Sequence, residues 1–406
     1  MKKLLIILIS LSPFLAHAQG FQVNLQGQKQ QAMGGTGTGM ALDEASVFYN
    51  PGAVSHLEKN GVSLGISPTI AHSTFELSNT QTQNRTKSPV STPFTGYAVF
   101  GKQDSKLKLG LGVYTPFGST IKWEDGWAGR FQLTKLQLFS VFIQPTVSYK
   151  ISDKVGIGAG FVYGIGKIDL SRDLPIIDAN GNYGSARLTG NASGVGFNAG
   201  IYLKPSEKIS IGITYRSQVN MKINKGNAEF KVPPSASSNF PNGSFTSSLP
   251  LPQVISIGVG LKPIEKLLIT ADVNFIGWSA YKELAFDYDK NTSALQDTRS
   301  ERNYKNTYAF RLGGQYSVKE NFRIRTGIAY QLTPVQDGYV TPEVPDANKI
   351  SYTAGLGYKF ADKLTVDVSF TFENFAKRTD TNKESNFSGT YKTYIAIPGI
   401  SLTYNF

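Results

Sequence analysis

The residues that could do chemistry in this sequence are few. Beyond the first eighteen residues there are only two histidines, His56 and His72, and the chain has no cysteine. No Gly-x-Ser-x-Gly elbow and no metal-ligand spacing occurs. The run Gly34-Gly35-Thr36-Gly37-Thr38-Gly39 lacks dinucleotide-fingerprint spacing and follows no strand, so it reads as a flexible, small-volume segment. An enzyme is not expected, nor a cofactor or a metal site.

What remains is polar recognition and apolar capture. Arg216, Arg311, Arg323 and Arg325 fall on polar strand faces, with Asp272, Asp367 and Glu373 within the same pattern. Arginine can hold a ligand carboxylate through two parallel hydrogen bonds. The commoner use of such a set is an internal ion-pair network bracing one part of a protein against another. Trp123, Trp127 and Phe131, with Ile121, make one long connection more apolar than its neighbours. It suits either capture of a greasy ligand or anchoring at a membrane interface. Asn50-Pro51-Gly52 reads as a helix start, with asparagine as cap and proline in the first turn. Pro116, between Thr115 and Phe117-Gly118, cannot donate to a sheet ladder, so a strand there either ends near Tyr114 or kinks.

These side chains need elements to position them, and the chain supplies strands. Residues 1–18 form a targeting segment: Lys2 and Lys3, an apolar run from Leu4 to Leu15, then Ala16-His17-Ala18 before Gln19. That is the pattern of a cleaved secretory signal peptide, with an apolar run too short to span a bilayer. An exported chain without cysteine has neither disulfides nor a lipidated N-terminal cysteine. The formal charge of +12 becomes +10 without Lys2 and Lys3. It is spread over turns and loops, so a solvated or headgroup-facing role fits better than a nucleic-acid partner.

From Gly61 onward, strand-like runs alternate with short charged turns and long polar loops. Seven long loops, among them 172–184 and 225–250, and six short turns interleave strictly, which gives fourteen strands. An even number of strands with short turns at one rim and long loops at the other is the pattern of outer-membrane barrels. Leu364, Val366, Val368, Phe370 and Phe372 alternate with Thr365, Asp367, Ser369, Thr371 and Glu373, so one face is apolar and the other polar. Carboxylates and arginines recur on the polar face of strand after strand, which places that face toward a lumen and the apolar face toward lipid. Tyr308, Tyr316, Tyr352, Tyr358 and Phe360 stand at strand ends, where interfacial aromatics belong. Glycines 156, 158, 160, 164 and 166 share one face of their strand, and 194, 196 and 200 share one face of the next. Either they strip the lumen wall for a close neighbour or they relieve crowding in a curved sheet. The expected fold is an all-β, 14-stranded antiparallel transmembrane β-barrel (59–406) whose polar, glycine-rich N-terminal segment (19–58) plugs the lumen.

Several runs together resemble the FadL family of outer-membrane long-chain fatty-acid transporters. They are Gly20-Phe21-Gln22, Asn50-Pro51-Gly52, Thr214-Tyr215-Arg216-Ser217, and Arg325 to Tyr330 leading to Ser351-Tyr352-Thr353-Ala354-Gly355. The family has Asn-Pro-Ala where this chain has Asn-Pro-Gly. The resemblance implies a monomeric outer-membrane barrel with an N-terminal hatch, capture of a fatty acid or hydrocarbon near the outer loops, and exit through a side opening. It makes Asn50, Pro51 and Gly52 the hatch, and Pro116, Phe117 and Gly118 the edge of a lateral window. A surface adhesin or structural barrel with a closed lumen is the alternative, and an aqueous porin is disfavoured because the plug would obstruct it.

Overall fold

A computed structural model of the chain describes residues 20–406 apart from 79, 81, 103, 104, 361 and 362. The expected signal peptide, 1–18, and Gln19 lie outside the described residues. Twenty-two strand segments form one sheet, and they join into fourteen antiparallel strands that close into a barrel. In chain order these are β1 (Gly61–Ile66 and Ile70–Leu77), β2 (Gln83–Arg85 and Phe94–Phe100), β3 (Leu107–Tyr114 and Gly118–Lys122), β4 (Lys135–Ser152) and β5 (Val155–Ile177). Then come β6 (Tyr183–Ser206), β7 (Ile209–Arg216 and Val219–Lys231), β8 (Gly243–Leu251 and Val254–Ile264), β9 (Leu267–Ile276 and Glu283–Tyr288) and β10 (Thr298–Glu301 and Thr307–Lys319). The circuit ends with β11 (Phe322–Gln331), β12 (Lys349–Phe360), β13 (Leu364–Phe375 and Arg378–Thr381) and β14 (Ser388–Asn405). Closure is made by β1 on β14, from Gly61↔Asn405 to Ile66↔Ile400. It leaves the sheet without an edge, as a backbone surrounded by hydrocarbon requires.

The two faces sort as the alternation predicts. Leu64, Leu402 and Phe370 point outward and are exposed, while Ser63, Thr403 and Asp367 point inward and are buried. No helix among the described residues is long and apolar enough to cross a membrane.

The long loops are shorter than the pattern suggests. The connections expected at 172–184 and 225–250 are largely strand: β5 runs on to Ile177, β6 starts at Tyr183, β7 ends at Lys231 and β8 begins at Gly243. These extensions stand beyond the apolar belt and carry polar residues on their outer face, as at Asn227 and Lys231. Apolar alternation marks only strands that face lipid. The ladder itself needs nothing but backbone.

Inside the barrel lies the N-terminal segment, residues 20–57. It holds two single-turn helices, α1 (Gln28–Gln31) and α2 (Ser46–Tyr49), followed by a 3₁₀ helix at Pro51–His56. Met33, Val47, Ala53 and Val54 are fully buried by it, and so are the polar residues Thr36 and Asn50. Glycines of the wall bring the two backbones together. At Gly52 an added Cβ would sit 2.7 Å from the Gly200 carbonyl oxygen and 2.8 Å from that of Gly156, and at Gly158 it would strike Pro51. The aligned glycines of β5 and β6 therefore serve both readings. Gly156, Gly158 and Gly200 receive residues 50–52, whereas Gly164 and Gly166 make room for Phe142 and Met221.

Candidate functional site

The deeper part of the internal segment, residues 28–56, is locked to the wall by directional bonds. Asn50 is extended and caps the turn after it: its Oδ1 accepts from Gly52 N at 2.9 Å. Its Nδ2 donates to the Thr38 carbonyl at 2.9 Å and to the Ile201 carbonyl of β6 at 3.0 Å. Every polar atom of that side chain is used, so it fixes the segment to itself and to the barrel together. The helix that follows is 3₁₀ rather than α, the short form usual in such brief turns.

The lumenal arginines make the same kind of contact. Arg325 donates to Asp367 at 2.7 Å, both side chains being almost fully buried, and Lys29 of α1 lies 3.9 Å from the same carboxylate and 3.3 Å from Asp43. Arg311 reaches the Gly34 carbonyl at 3.0 Å and Asn274 at 2.8 Å. Arg216 lies 4.1 Å above the Phe48 ring and donates to the Phe48 carbonyl at 2.9 Å and to Tyr114 at 2.8 Å. Asp272 accepts from the backbone N–H groups of Gly37 and Thr38, each at 2.9 Å. Arg323 shares their face but forms no hydrogen bond or ion pair among the described residues. Glu373 pairs with Lys349 at 2.7 Å, not with an arginine. Arg216 and Arg311 brace the segment to the wall directly, whereas Arg325 acts through Asp367, the carboxylate it shares with Lys29.

The outer end, residues 20–26, is held differently and at another place. β2 and β3 pair as far as Thr95↔Tyr114, and their next ladder contact is the isolated bridge Thr86↔Trp123. Between these points Pro89 and Pro93 on β2 and Pro116 on β3 lack the N–H a ladder needs. On the other side of the break, Tyr114 pairs with Phe142 and Gly118 with Phe139, so three residues of β3 oppose two of β4. That is a bulge, which reverses the side-chain parity of the strand beyond it. The backbone groups β2 leaves free are taken from inside by the N-terminal arm. Val23 N donates to the Pro116 carbonyl at 2.8 Å, Gly118 N to the Phe21 carbonyl at 3.0 Å, and Gln26 Nε2 to the Thr115 carbonyl at 3.0 Å.

A cavity of about 600 Å³ adjoins this break. The arm lines it, with residues 88–93, Phe117 and Ile121 at the break and Asp346, Lys349, Glu373 and Phe375 opposite. Phe21 also lines a smaller apolar cavity with Phe117, Leu138, Met221, Leu251 and Leu284. Its ring lies 6.3 Å from that of Tyr281. Gly20 N donates to Asp346 Oδ2 at 2.9 Å, and Thr333 Oγ1 donates to the same oxygen at 2.6 Å. Burial holds the Asp346 carboxyl above its usual range, at about 6, against the pull of these hydrogen bonds.

Two sequence expectations need correction. Trp123 and Trp127 are not exposed loop surface: both are 1% exposed and stacked face to face at 4.2 Å. Their indole N–H groups donate to the carbonyls of Pro342 and Leu133, and Phe75 and Phe387 close over them. Rings of that size bury together sooner than stay wet, so they form a core under the outer loops rather than a capture surface or an interfacial anchor. Phe131 alone stays at the surface, edge-on to Tyr183 with Arg130 over it. Pro89 and Pro93, the β2 side of the break, were missed, although two prolines in a presumed loop were the available signal.

A closed fourteen-stranded barrel with an internal segment and a cavity at a gap in its wall defines an outer-membrane transport barrel for hydrophobic molecules. The family model for outer membrane protein transport proteins (OMPP1/FadL/TodX) matches residues 9–406, and the chain belongs to that family. The long-chain fatty acid transport protein of Escherichia coli O6:H1 is 24% identical over 91% of this chain and 90% of its own length. A Pseudomonas aeruginosa FadL homologue superposes with a TM-score of 0.84 at 19% identity, covering 96% of this chain and all of the other. The toluene transporter TodX of P. putida gives 0.76 at 16% identity, over 94% and 98% of the two chains. These structures share the fold with this chain.

Proposed function

We propose that this protein carries long-chain fatty acids inward across the outer membrane by passive diffusion, with residues 20–56 as a hatch and an exit through the wall between β2 and β3. The observation that carries the reading is the arm's position. The same few residues line the cavity, fill an apolar pocket with Phe21, and occupy the backbone of β3 where β2 has let go.

A ligand entering the cavity gains roughly 0.8 kcal/mol for each methylene it buries. Chain enough to displace Phe21 loosens the arm, and the arm is what covers the break. Asn50, Pro51 and Gly52 stay in place as the fixed end. Transport is complete within one barrel, so a monomer suffices. A fatty acid suits the cavity better than an aromatic hydrocarbon because its lining joins Phe117, Ile121 and Phe375 to the polar groups of Asp346, Lys349 and Glu373. Lys349 pairs with Glu373 at 2.7 Å, and a ligand carboxylate can take that place on its ammonium, as a hydrocarbon cannot.

Saturable binding of a labelled long-chain fatty acid to the purified barrel, competed weakly by toluene, is the expected result. Stronger competition by toluene than by unlabelled fatty acid would replace the substrate, and no saturable binding of either would defeat the transport reading.

A further inference from the structure

The outer wall carries a second feature beside the transport path. On β5 the outward residues Tyr163 and Ile165 are followed by Lys167, and on β6 Phe197 and Val195 are followed by Ser193 and Asn191. On β7 the outward side chain level with Ser193 is Lys222. The register sets Ile165 and Lys222 on either side of Ser193, and Lys167 beside Asn191. Lys167 and Lys222 therefore stand two strand spacings apart, ~10 Å across the sheet, just beyond the exposed Ile165 and Val195.

Next to them β7 bulges. Lys222↔Ser193 and Asn227↔Thr189 leave one extra residue on β7, and the ladder to β8 shifts between Ile223 and Gly226 as well. As a result Asn224 and Lys225, adjacent in sequence, are both exposed while Ile223 and Gly226 are buried. A bulge re-aims a side chain at the expense of ladder bonds. Here it adds a third lysine to the same outer face, above an open groove that also includes Lys167, Asn191 and Asn227.

None of the three lysines makes an ion pair or hydrogen bond among the described residues. The carboxylates nearby are already engaged. Asp169 is held by Lys135 at 2.8 Å and Arg187 at 2.9 Å, Glu229 lies 3.5 Å from Lys231, and Asp289 accepts from Ser244 N and Oγ at 2.8 and 2.9 Å. Like charges on neighbouring strands repel, and Asp289, the one carboxylate lining the groove, offsets only one of the three lysines, so this face keeps a net positive charge that calls for an anion. The position supplies one, because it borders the apolar belt on the side of the long loops, where the headgroups of outer-leaflet lipid lie.

We propose that Lys167, Lys222 and Lys225 form a clamp for the phosphate groups of an outer-leaflet glycolipid whose acyl chains lie on Ile165, Val195 and Phe197. Lys222 and Lys225 lie outside the lining of the cargo cavities, and Lys167 borders them.

The test uses the full chain in detergent with bisphosphorylated lipid A as probe, titrated by native mass spectrometry or microscale thermophoresis. Saturable binding that weakens with salt is expected. Loss of three lysines at a charged membrane surface, at roughly fivefold each, predicts about a hundredfold weaker binding for K167Q/K222Q/K225Q. K225Q alone should lose about fivefold. Both variants should keep the heat-dependent electrophoretic shift of a folded barrel, and K225Q should keep wild-type fatty-acid binding. Lipid A stripped of phosphate should bind wild type no better than the triple variant. Equal binding of phosphorylated and stripped lipid would overturn the clamp, as would an unchanged triple variant. Full competition by inorganic phosphate at equal concentration would overturn the lipid as its occupant.

Discussion

The two ends of the internal segment meet the barrel on different terms. Residues 28–56 rest against wall glycines and are fastened by charge and by fully used polar side chains, Asn50 and the Arg325–Asp367–Lys29 cluster among them. Residues 20–26 border a cavity and lean on hydrogen bonds to β3, to Asp346 and, from Asn24, to Gln331. The first arrangement is costly to disturb because a buried charge or a close backbone contact has no substitute partner. The second exchanges one set of modest bonds for another. Within one short segment the chain has built both an anchor and a part able to move.

The largest effect is expected at the anchor. Asp367→Ala leaves Arg325 buried without its carboxylate and Lys29 with Asp43 alone, and should cost ~3–5 kcal/mol, read as an earlier unfolding transition in denaturant. Gly158→Val forces a side chain into Pro51 and should cost ~1–3 kcal/mol through overpacking. It should also raise ion conductance across planar bilayers as residues 50–52 are pushed from the wall. An unchanged conductance would mean that the anchor does not seal the lumen. At the arm, Phe21→Ala should cost less stability than either, because a cavity already adjoins the site, yet it should change fatty-acid affinity. A stability loss as large as that of Asp367→Ala would erase the distinction between the ends.

The smallest effect concerns Asp346. Its carboxyl is raised to about 6, so the folded protein binds the proton more tightly than the unfolded chain. Its contribution is therefore greatest below the unfolded value near ~4 and declines as pH rises toward 6. Asp346→Asn still accepts from Gly20 and Thr333, and should shift stability by no more than ~1 kcal/mol while flattening that decline. The slope is measured from unfolding midpoints between pH 4 and 7.

Much of this was legible from residue order. Strand parity, the turn-and-loop rhythm and the cap at Asn50 follow from local rules that act wherever the chain faces lipid or starts a turn. The extensions of β5 to β8 were not, since a strand surrounded by water carries no apolar signature. Pro116 announced a break but not its partner: whether β2 or the arm would take its carbonyl depends on a contact 93 residues away in the chain. Trp123 and Trp127 misled because loop composition cannot tell a wet aromatic from one that folds onto its neighbour. The lumenal arginines were ambiguous for a related reason, as a guanidinium binds a backbone carbonyl and a ligand carboxylate through the same donors.

The most direct measurement locks the arm to the break. Gln22 and Phe117 face each other in an antiparallel bridge, and the chain has no cysteine of its own. Opposed residues of this kind lie within disulfide range. In the Gln22→Cys/Phe117→Cys variant, oxidation should abolish uptake of labelled fatty acid by cells, and a reductant should restore it, while each single variant transports as before. Uptake that continues undiminished through the oxidised barrel would contradict an exit controlled by the arm at the β2–β3 gap.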